Sequence, residues 1–177
     1  MPEAPRAAAS YDHVVQVQPP DLDELGHVNN VVYVRWVMDA AAAHWNRLST
    51  PSMRSAIAWV VVRHEIDYLA AALPGDAVLV RTRVGLRDGI TSERLTELFR
   101  EGDEKPLARS RTLWAPVDPV TGKVKRLPAE VRANRDVVEA YLGTGQARVR
   151  SRVRQAATVS PATGTAALEG GAGYAGD

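Results

Sequence analysis

The sequence has 177 residues, of which 24% are charged and 45% hydrophobic, and its formal net charge is +1. This length suits one domain or at most two small ones, and the near-neutral charge argues against a protein that binds nucleic acid by neutralising phosphates. The chain has no cysteine, which excludes a thiol nucleophile, a disulfide framework and thiolate metal sites. No apolar run approaches the roughly 20 residues that cross a bilayer, and the first ten residues do not form a secretory signal. We therefore expect a soluble, cytoplasmic protein with no membrane span.

The two ends of the chain differ in composition from its middle. Residues 1–9 are rich in Ala and Pro, and from about residue 143 the sequence consists largely of Gly, Ala, Thr and Arg. Such segments cannot bury enough apolar surface to offset the entropy lost on ordering, so we predict that 1–9 and 143–177 are disordered. The folded domain is expected to span residues 10–142.

The first predicted elements are a strand over residues 11–18 and a helix over residues 31–48. Three polar positions of this helix, Arg35, Asp39 and Asn46, fall within a stripe of about 40°, and most of the remaining surface is apolar. A helix that is apolar over most of its circumference must be enclosed on several sides. We therefore expect it to be the central helix of the fold.

Four strand-like segments follow with no second helix between them: residues 58–69, 76–88, 90–102 and 105–118. The breaks at Pro74-Gly75-Asp76, Asp88-Gly89 and Glu101-Gly102-Asp103 are typical of hairpin turns and predict an antiparallel meander. A short closing helix is predicted over residues 129–142. One strand, a buried helix and four antiparallel strands give an α+β fold in which the sheet curls around the helix. Because such a sheet leaves part of the helix uncovered, we also expect a homodimer.

Two sequence patterns resemble ligand-binding motifs but lack the surrounding residues that those motifs require. Residues 171–176 form a G-x-G-x-x-G pattern, but no strand precedes it and no helix can follow it, so it does not indicate a dinucleotide site. Asp21-x-Asp23-x-x-Gly26 begins like a calcium loop, but Leu25 and Val32 stand where oxygen ligands belong. The sequence therefore predicts no metal site.

The segment from Asp21 to Asn30 places two carboxylates, an imidazole and two amides directly before the N-terminus of the buried helix. A helix N-terminus presents free N–H groups and partial positive charge. These groups could polarise a carbonyl and hold an oxyanion, while a carboxylate acts as nucleophile or as base on water. The alternative is that the Asp and Asn side chains only cap the helix and that His27 is an ordinary loop residue.

The pattern D-x-D-x-x-G-H-V-N-N-x-x-Y-x-x-W, from Asp21 to Trp36, resembles the opening motif of the hotdog-fold acyl-CoA thioesterases. More narrowly it is similar to the 4-hydroxybenzoyl-CoA thioesterase-like family, and residues 60–84 and 113–128 resemble later segments of that family in the same order. The resemblance implies a curved antiparallel sheet of about five strands wrapped around a long central helix. It also implies hydrolysis of an acyl-CoA thioester.

The resemblance assigns roles residue by residue. Asp23 matches the family's catalytic carboxylate, whereas Asp21 is assigned to structure. His27 matches the histidine of the G-H-x-N-N variant and is placed similarly to the catalytic histidine of plant acyl-carrier-protein thioesterases, although Leu25 stands where those enzymes have an asparagine. Asn30 could orient water or substrate, but an amide cannot act as a base.

Each of the remaining candidate site residues has two possible roles. Tyr33 packs at the base of the helix or lines the acyl pocket. Arg63 and His64 contact the phosphates or nucleotide of CoA, or they lie on a solvated or subunit-facing surface. Three tryptophans could line an acyl pocket, but their spacing favours core packing: Trp36, Trp45 and Trp59.

The sequence thus predicts a hotdog homodimer or homotetramer that hydrolyses an acyl-CoA, or an acyl-carrier-protein thioester, without a metal or redox cofactor and without a nucleic-acid partner. One alternative is a binding protein that senses acyl-CoA without cleaving it. Another is a hotdog hydratase, but its D-x-N-P-x-H motif places Asp and His five residues apart. Here Asp23 and His27 are four apart.

Overall fold

In a computed structural model, the described part of the chain covers residues 10–88, 90–134 and 137. It contains five strands and three α-helices. The strands are β1 (Ser10–Gln16), β2 (Ala58–Tyr68), β3 (Ala77–Asp88), β4 (Thr91–Arg100) and β5 (Pro106–Val117), and the helices are α1 (Asn30–Leu48), α2 (Pro51–Ala56) and α3 (Ala129–Ala133). A single 3-10 turn, Pro19–Asp21, follows β1. The predicted disordered ends lie outside the described residues, as does most of the second half of the predicted 129–142 helix.

All five strands pair antiparallel in one sheet of order β1-β3-β4-β5-β2. The meander prediction is correct for β3, β4 and β5 but wrong for β2, which pairs with β5 at the far edge of the sheet. Pro74-Gly75-Asp76 is therefore not a hairpin turn but the end of a connection that crosses from one edge strand to β3. The turn is real, because Gly75 has a positive φ and the Asp76 carboxylate accepts the Leu73 N–H at 2.9 Å. A local turn reverses the chain without determining which strand becomes its neighbour.

Helix α1 begins and ends where the sequence predicts, to within one residue. The Oδ1 atom of Asn29 accepts the Val31 N–H at 3.0 Å, so Asn29 is the N-cap. The polar stripe predicted at Arg35, Asp39 and Asn46 is exposed. Helix α2 was not predicted, although Thr50 caps it and Pro51 is its first residue.

The core has two parts along α1. Tyr33, Trp36 and Val37 lie in the larger cluster, beneath the first half of the helix. Trp45 lies in the smaller cluster, with Trp59 packed against it. Trp36 is therefore a core residue, as its spacing suggested.

One edge of the sheet is apolar and unpaired in the described structure. β2 is the terminal strand, and the exposed fractions of Val60, Val61 and Val62 are 43%, 39% and 59%. Exposed apolar edge strands are sites of association with another chain. The chain alone also leaves Val31 and Ala42 of α1 exposed, which agrees with the expectation that one sheet does not cover the helix.

A buried polar cluster lies between α1 and the sheet. The Nη1 atom of Arg94 lies 3.1 Å from His44 Nδ1 and donates to Thr82 Oγ1 at 3.2 Å. Because a guanidinium only donates, the Nδ1 atom of His44 must be an acceptor and the ring is neutral. Burial, together with the charges of Arg94 and Arg47, lowers the pKa of His44 to about 4.

This pKa predicts an acid-sensitive fold. Below pH 7 the unfolded chain protonates His44 near its ordinary pKa of 6.5, whereas the folded chain resists protonation until about pH 4, so stability is lost as the pH falls through this window. We expect the free energy of unfolding of the wild type to fall by about 2 kcal/mol more than that of His44→Gln between about pH 7 and pH 5. Urea unfolding of both proteins at each pH measures this difference. Parallel pH profiles of the two proteins would contradict the assignment.

Candidate active site

The loop between β1 and α1 forms a small closed turn that presents Asp23. Leu22 and Val28 form an antiparallel bridge, and the Asp23 N–H donates to the His27 carbonyl at 2.8 Å. Gly26 turns the chain with φ +74°, a conformation that other residues rarely adopt. The loop therefore fixes Asp23 a few residues before the first turn of α1.

The two oxygens of the Asp23 carboxylate have different environments. Oδ1 accepts the N–H groups of Leu25 at 2.9 Å and His27 at 3.1 Å. Oδ2 has no donor within the described residues, and the side chain is only partly buried. One oxygen is therefore anchored by the backbone, and the other is available to a substrate or a water molecule.

The first backbone amide of α1, seven residues after Asp23 in the chain, is also available. Between residues 25 and 32, every N–H except that of Asn30 donates to an acceptor in the loop, in the helix cap or in the β2–β3 connection. Within the described structure no acceptor is present for Asn30 N–H, which is the first amide of α1. A free N–H at a helix N-terminus, where the helix dipole adds partial positive charge, is a suitable donor to an oxyanion.

Asp21 holds the loop in place, as predicted. It is only 4% exposed, and its oxygens accept the Gln18 N–H at 2.9 Å and the Arg35 Nη2 at 2.5 Å. Burial favours the protonated acid, but the Gln18 hydrogen bond and the Arg35 guanidinium outweigh it and hold the pKa of Asp21 below its usual value. The Asp21 carbonyl also accepts the Asn29 N–H, so this residue links the loop to the helix cap.

Tyr33 anchors the base of α1 to the β2–β3 connection. Its hydroxyl accepts the Ala72 N–H at 2.7 Å and donates to the Ala70 carbonyl at 3.5 Å. The Val28 N–H donates to the Ala72 carbonyl at 3.0 Å, close to the same point. With 2% exposure, Tyr33 packs at the base of α1, and a role for it in binding the acyl group stays a prediction.

The other predicted site residues lie around this loop or along β2. The side chains of His27 and Asn30 are exposed, beside Asp23 in the chain. Arg63 is exposed and forms an ion pair with Glu65 at 2.5 Å.

His64 lies on β2, with Nδ1 2.8 Å from Thr112 Oγ1, and its Nε2 is buried with no partner among the described residues. Burial lowers the pKa of His64. No hydrogen bond or ion pair joins Arg63 or His64 to the Asp23 loop in the part of the chain that the structure describes.

A cavity of about 490 Å³ lies at the other end of α1. It is bordered by the second half of α1 and the residues around the start of β2, with β4 and β5 on the sheet side, and it is open to the surface on one side. Its apolar walls include Met38, Ala42, Trp45, Ile57, Trp59 and Trp114. The sequence suggested Trp45 and Trp59 as pocket residues, but nothing in the spacing of Trp114 or Met38 marked them.

Helix α1 and strand β2 run side by side in opposite directions. At one end the Tyr68 hydroxyl donates to the Asn30 carbonyl at 3.1 Å. At the other end Trp59 packs edge-to-face on Trp45, with ring centroids 5.7 Å apart. Since a helix rises about 1.5 Å per residue, the α1 residues of the cavity wall, from Met38 to Trp45, lie about 12 to 22 Å along α1 from Asn30. Within one chain the Asp23 loop and the cavity are therefore well separated.

The described residues contain neither a cluster of metal ligands nor a helix that could cross a membrane. No three His, Asp or Glu side chains of this part of the chain converge as ligands of a metal ion would. Among the helices described, none has the length and apolar character needed to cross a membrane.

Comparison with known proteins identifies the family. Residues 17–134 match the sequence profile of the thioesterase-like superfamily. A second match, to a branched-chain amino acid ATP-binding cassette transporter profile, is confined to residues 127–147. No curated protein sequence matches the chain significantly.

Solved structures share the fold. The chain is similar to the PA5185 protein of Pseudomonas aeruginosa, with a TM-score of 0.66 and 22% identity over 77% of this chain and 94% of the other. It is also similar to the 1,4-dihydroxy-2-naphthoyl-CoA thioesterase of Synechocystis, with a TM-score of 0.60 and 22% identity over 68% of this chain and 90% of the other. A Thermus thermophilus thioesterase solved with coenzyme A and zinc gives a TM-score of 0.61 and 28% identity over 72% of this chain and 92% of the other.

The profile covers most of the described part of the chain, and these structures share its fold. The prediction of a hotdog-fold thioester hydrolase is therefore confirmed at the level of the family. The chain belongs to the thioesterase-like superfamily.

Proposed function

We propose that this protein hydrolyses acyl-CoA thioesters, with Asp23 as nucleophile or general base. The observation that carries the proposal is that one carboxylate oxygen and one backbone N–H of this region have no hydrogen-bond partner in the described part of the chain. Asp23 Oδ2 lacks a donor and Asn30 N–H lacks an acceptor within the described residues. A thioester carbonyl bound between them would meet an attacking oxygen on one side and an oxyanion donor on the other.

Two routes lead to the same products. As a nucleophile, Asp23 Oδ2 bonds to the carbonyl carbon, the C–S bond breaks, and the sulfur leaves as CoA thiolate and takes a proton from water. Water then hydrolyses the mixed anhydride and restores the carboxylate. As a base, Asp23 takes a proton from water, the hydroxide bonds to the carbonyl carbon, the same C–S bond breaks, and the proton on Asp23 passes to the departing thiolate. In both routes the oxyanion is held by Asn30 N–H.

The remaining candidate residues receive binding roles in this proposal. His27 and Asn30, exposed beside the carboxylate, position water or the departing thiol. Arg63 and His64 on β2 would contact the CoA moiety, and the guanidinium of Arg63 suits a phosphate. CoA and acyl-carrier-protein thioesters remain alternative substrates. The cytoplasmic location remains a prediction.

The apolar edge of β2 supports the predicted homodimer. If two copies pair their β2 edges antiparallel, the Trp59 end of one strand lies beside the Tyr68 end of the other. Because Tyr68 is bonded to Asn30 and Trp59 lies in the cavity wall, this pairing brings the Asp23 loop of one copy next to the cavity of the other. The dimer would then complete a site that one chain leaves divided. A tetramer built from such dimers remains a prediction.

Replacing Asp23 with Asn tests the chemistry. Asparagine keeps the shape of the side chain and one acceptor oxygen for the loop amides, but it cannot act as base or as an equivalent nucleophile. We expect kcat for thiol release from acyl-CoA to fall at least about 100-fold, with the thermal unfolding midpoint little changed. A thiol-reactive dye measures the release from short, medium, long and aromatic acyl-CoAs.

The matched control is Glu24→Gln, which removes the charge of the adjacent, exposed carboxylate in the same loop. It should behave like the wild type. If Asp23→Asn retains wild-type turnover, the proposed role of Asp23 is wrong. Saturable acyl-CoA binding by the wild type without thiol release would instead favour the non-catalytic binding protein.

Replacing Val62 with Lys tests the dimer. Val62 lies on the free edge with 59% exposure, and a lysine there would place two like charges across the proposed pairing. We expect the wild type to sediment as a dimer or tetramer, and Val62→Lys to sediment as a monomer with at least about tenfold lower kcat/KM. Val120→Lys, at a loop residue that is 91% exposed, is the control and should leave both properties unchanged. A monomeric, active wild type would overturn the proposed pairing.

A further inference from the structure

The cavity beside α1 is built for an apolar group. Three indole rings, those of Trp45, Trp59 and Trp114, line it together with small residues of α1. Asp39 and Arg54 are exposed, and the Nη1 of Arg54 already donates to the Ser49 carbonyl at 2.5 Å. The buried lining is therefore predominantly hydrophobic, as expected for a pocket that holds hydrocarbon.

The size of the cavity restricts the ligand. A two-carbon or four-carbon acyl group would leave most of this volume of about 490 Å³ unfilled and would bury little of the aromatic wall. A chain of ten or more carbons would contact much more of that wall and bury more apolar area.

We propose that this cavity binds the acyl chain of the substrate and that the enzyme is selective for long-chain acyl thioesters, of ten or more carbons. The inference rests on the proposed function, because it requires a thioester held at the Asp23 loop. The antiparallel β2 pairing supplies the connection, since it places the loop of one copy beside the cavity of the other. Two buried polar residues, Ser92 and Arg94, also lie in the sheet-side wall, and the Nη1 atom of Arg94 is engaged by His44 and Thr82.

Ala42 is the residue that sets this limit on the α1 side. It lines the cavity, and its side chain is exposed rather than packed in the core. A phenyl ring added there has room to turn toward the cavity without displacing core residues, and it would occupy part of the space of a long chain. Ala41, its neighbour, is only 5% exposed and would not tolerate such a ring.

The test compares kcat/KM for thiol release from acetyl-, hexanoyl-, decanoyl- and hexadecanoyl-CoA. Each buried methylene contributes roughly fourfold, so wild-type kcat/KM should rise at least about tenfold from hexanoyl- to decanoyl-CoA. With Ala42→Phe, hexadecanoyl-CoA should lose at least about tenfold while hexanoyl-CoA stays within about twofold. The control, Asn46→Phe, adds the same ring one turn along α1 outside the cavity wall and should match the wild type.

A binding readout separates this inference from the proposed function. Titration with decanoic acid should change the tryptophan fluorescence of the wild type and of Asn46→Phe, but much less that of Ala42→Phe. Thiol release that does not depend on chain length, or an Ala42→Phe variant that loses activity equally on all chains, overturns the long-chain inference and leaves the hydrolase intact. Decanoic acid binding without thiol release from any substrate overturns the hydrolase and supports the cavity's ligand class. If decanoic acid does not bind and no thiol is released from any substrate, both the long-chain inference and the proposed hydrolase activity are wrong.

Discussion

Tyr33 and Ala72 form the contact on which the rest of the site depends. The phenol at the base of α1 accepts the Ala72 N–H, and the carbonyl of the same alanine accepts the Val28 N–H from the Asp23 loop. Ala72 itself is fully buried, so these bonds are shielded from water and are costly to leave unmade. One point in the β2–β3 connection therefore fixes the helix and the loop together, and this fixes Asp23 relative to the first amide of α1. Asp21 adds a second tie from the loop to the helix cap.

Charge on the outer face of the sheet explains which surfaces are left for association. The strand register aligns Asp12, Arg81, Glu97 and Arg109 in one row of alternating sign. Arg81 donates two bonds of 2.8 Å to Asp12, and Arg109 donates to Glu97 at 3.2 Å. Such exposed pairs contribute about 0–1 kcal/mol each, but they keep this face polar and neutralise its arginines. The β2 edge and the adjoining flank of α1 expose apolar side chains, Val60, Val61, Val62 and Val31 among them, and the proposed function places the second copy there.

The sequence contains the local features of this fold more clearly than the long-range ones. The apolar pattern predicts α1 to within one residue, and the strands follow from turn signals and alternation. The edge position of β2 could not be predicted, because Pro74-Gly75-Asp76 turns the chain equally well into a hairpin or into a crossing connection. Helix α2 carries an ordinary Thr50-Pro51 start signal, but its six residues are too few to show a helical periodicity.

The same distinction holds within the site. The motif from Asp21 to Trp36 marks Asp23, but only the structure shows that one of its oxygens is anchored and that Asn30 N–H is the unengaged amide. The cavity is formed by residues from α1, β2, β4 and β5 that are far apart in sequence, so its volume could not be predicted from spacing. Trp114 shows this well, since its strand pattern is equally typical of an ordinary core position.

The central claim is that Asp23 of one copy works with the cavity of another. The most direct measurement mixes equal amounts of Asp23→Asn and Ala42→Phe chains, unfolds and refolds them together, and assays hydrolysis of hexadecanoyl-CoA. In a mixed dimer one site combines an intact carboxylate with an intact cavity, so the account predicts recovery to about a quarter of wild-type activity. If the mixture is no more active than the average of the two variants refolded separately, the carboxylate and the cavity do not combine across the dimer, and the account is wrong.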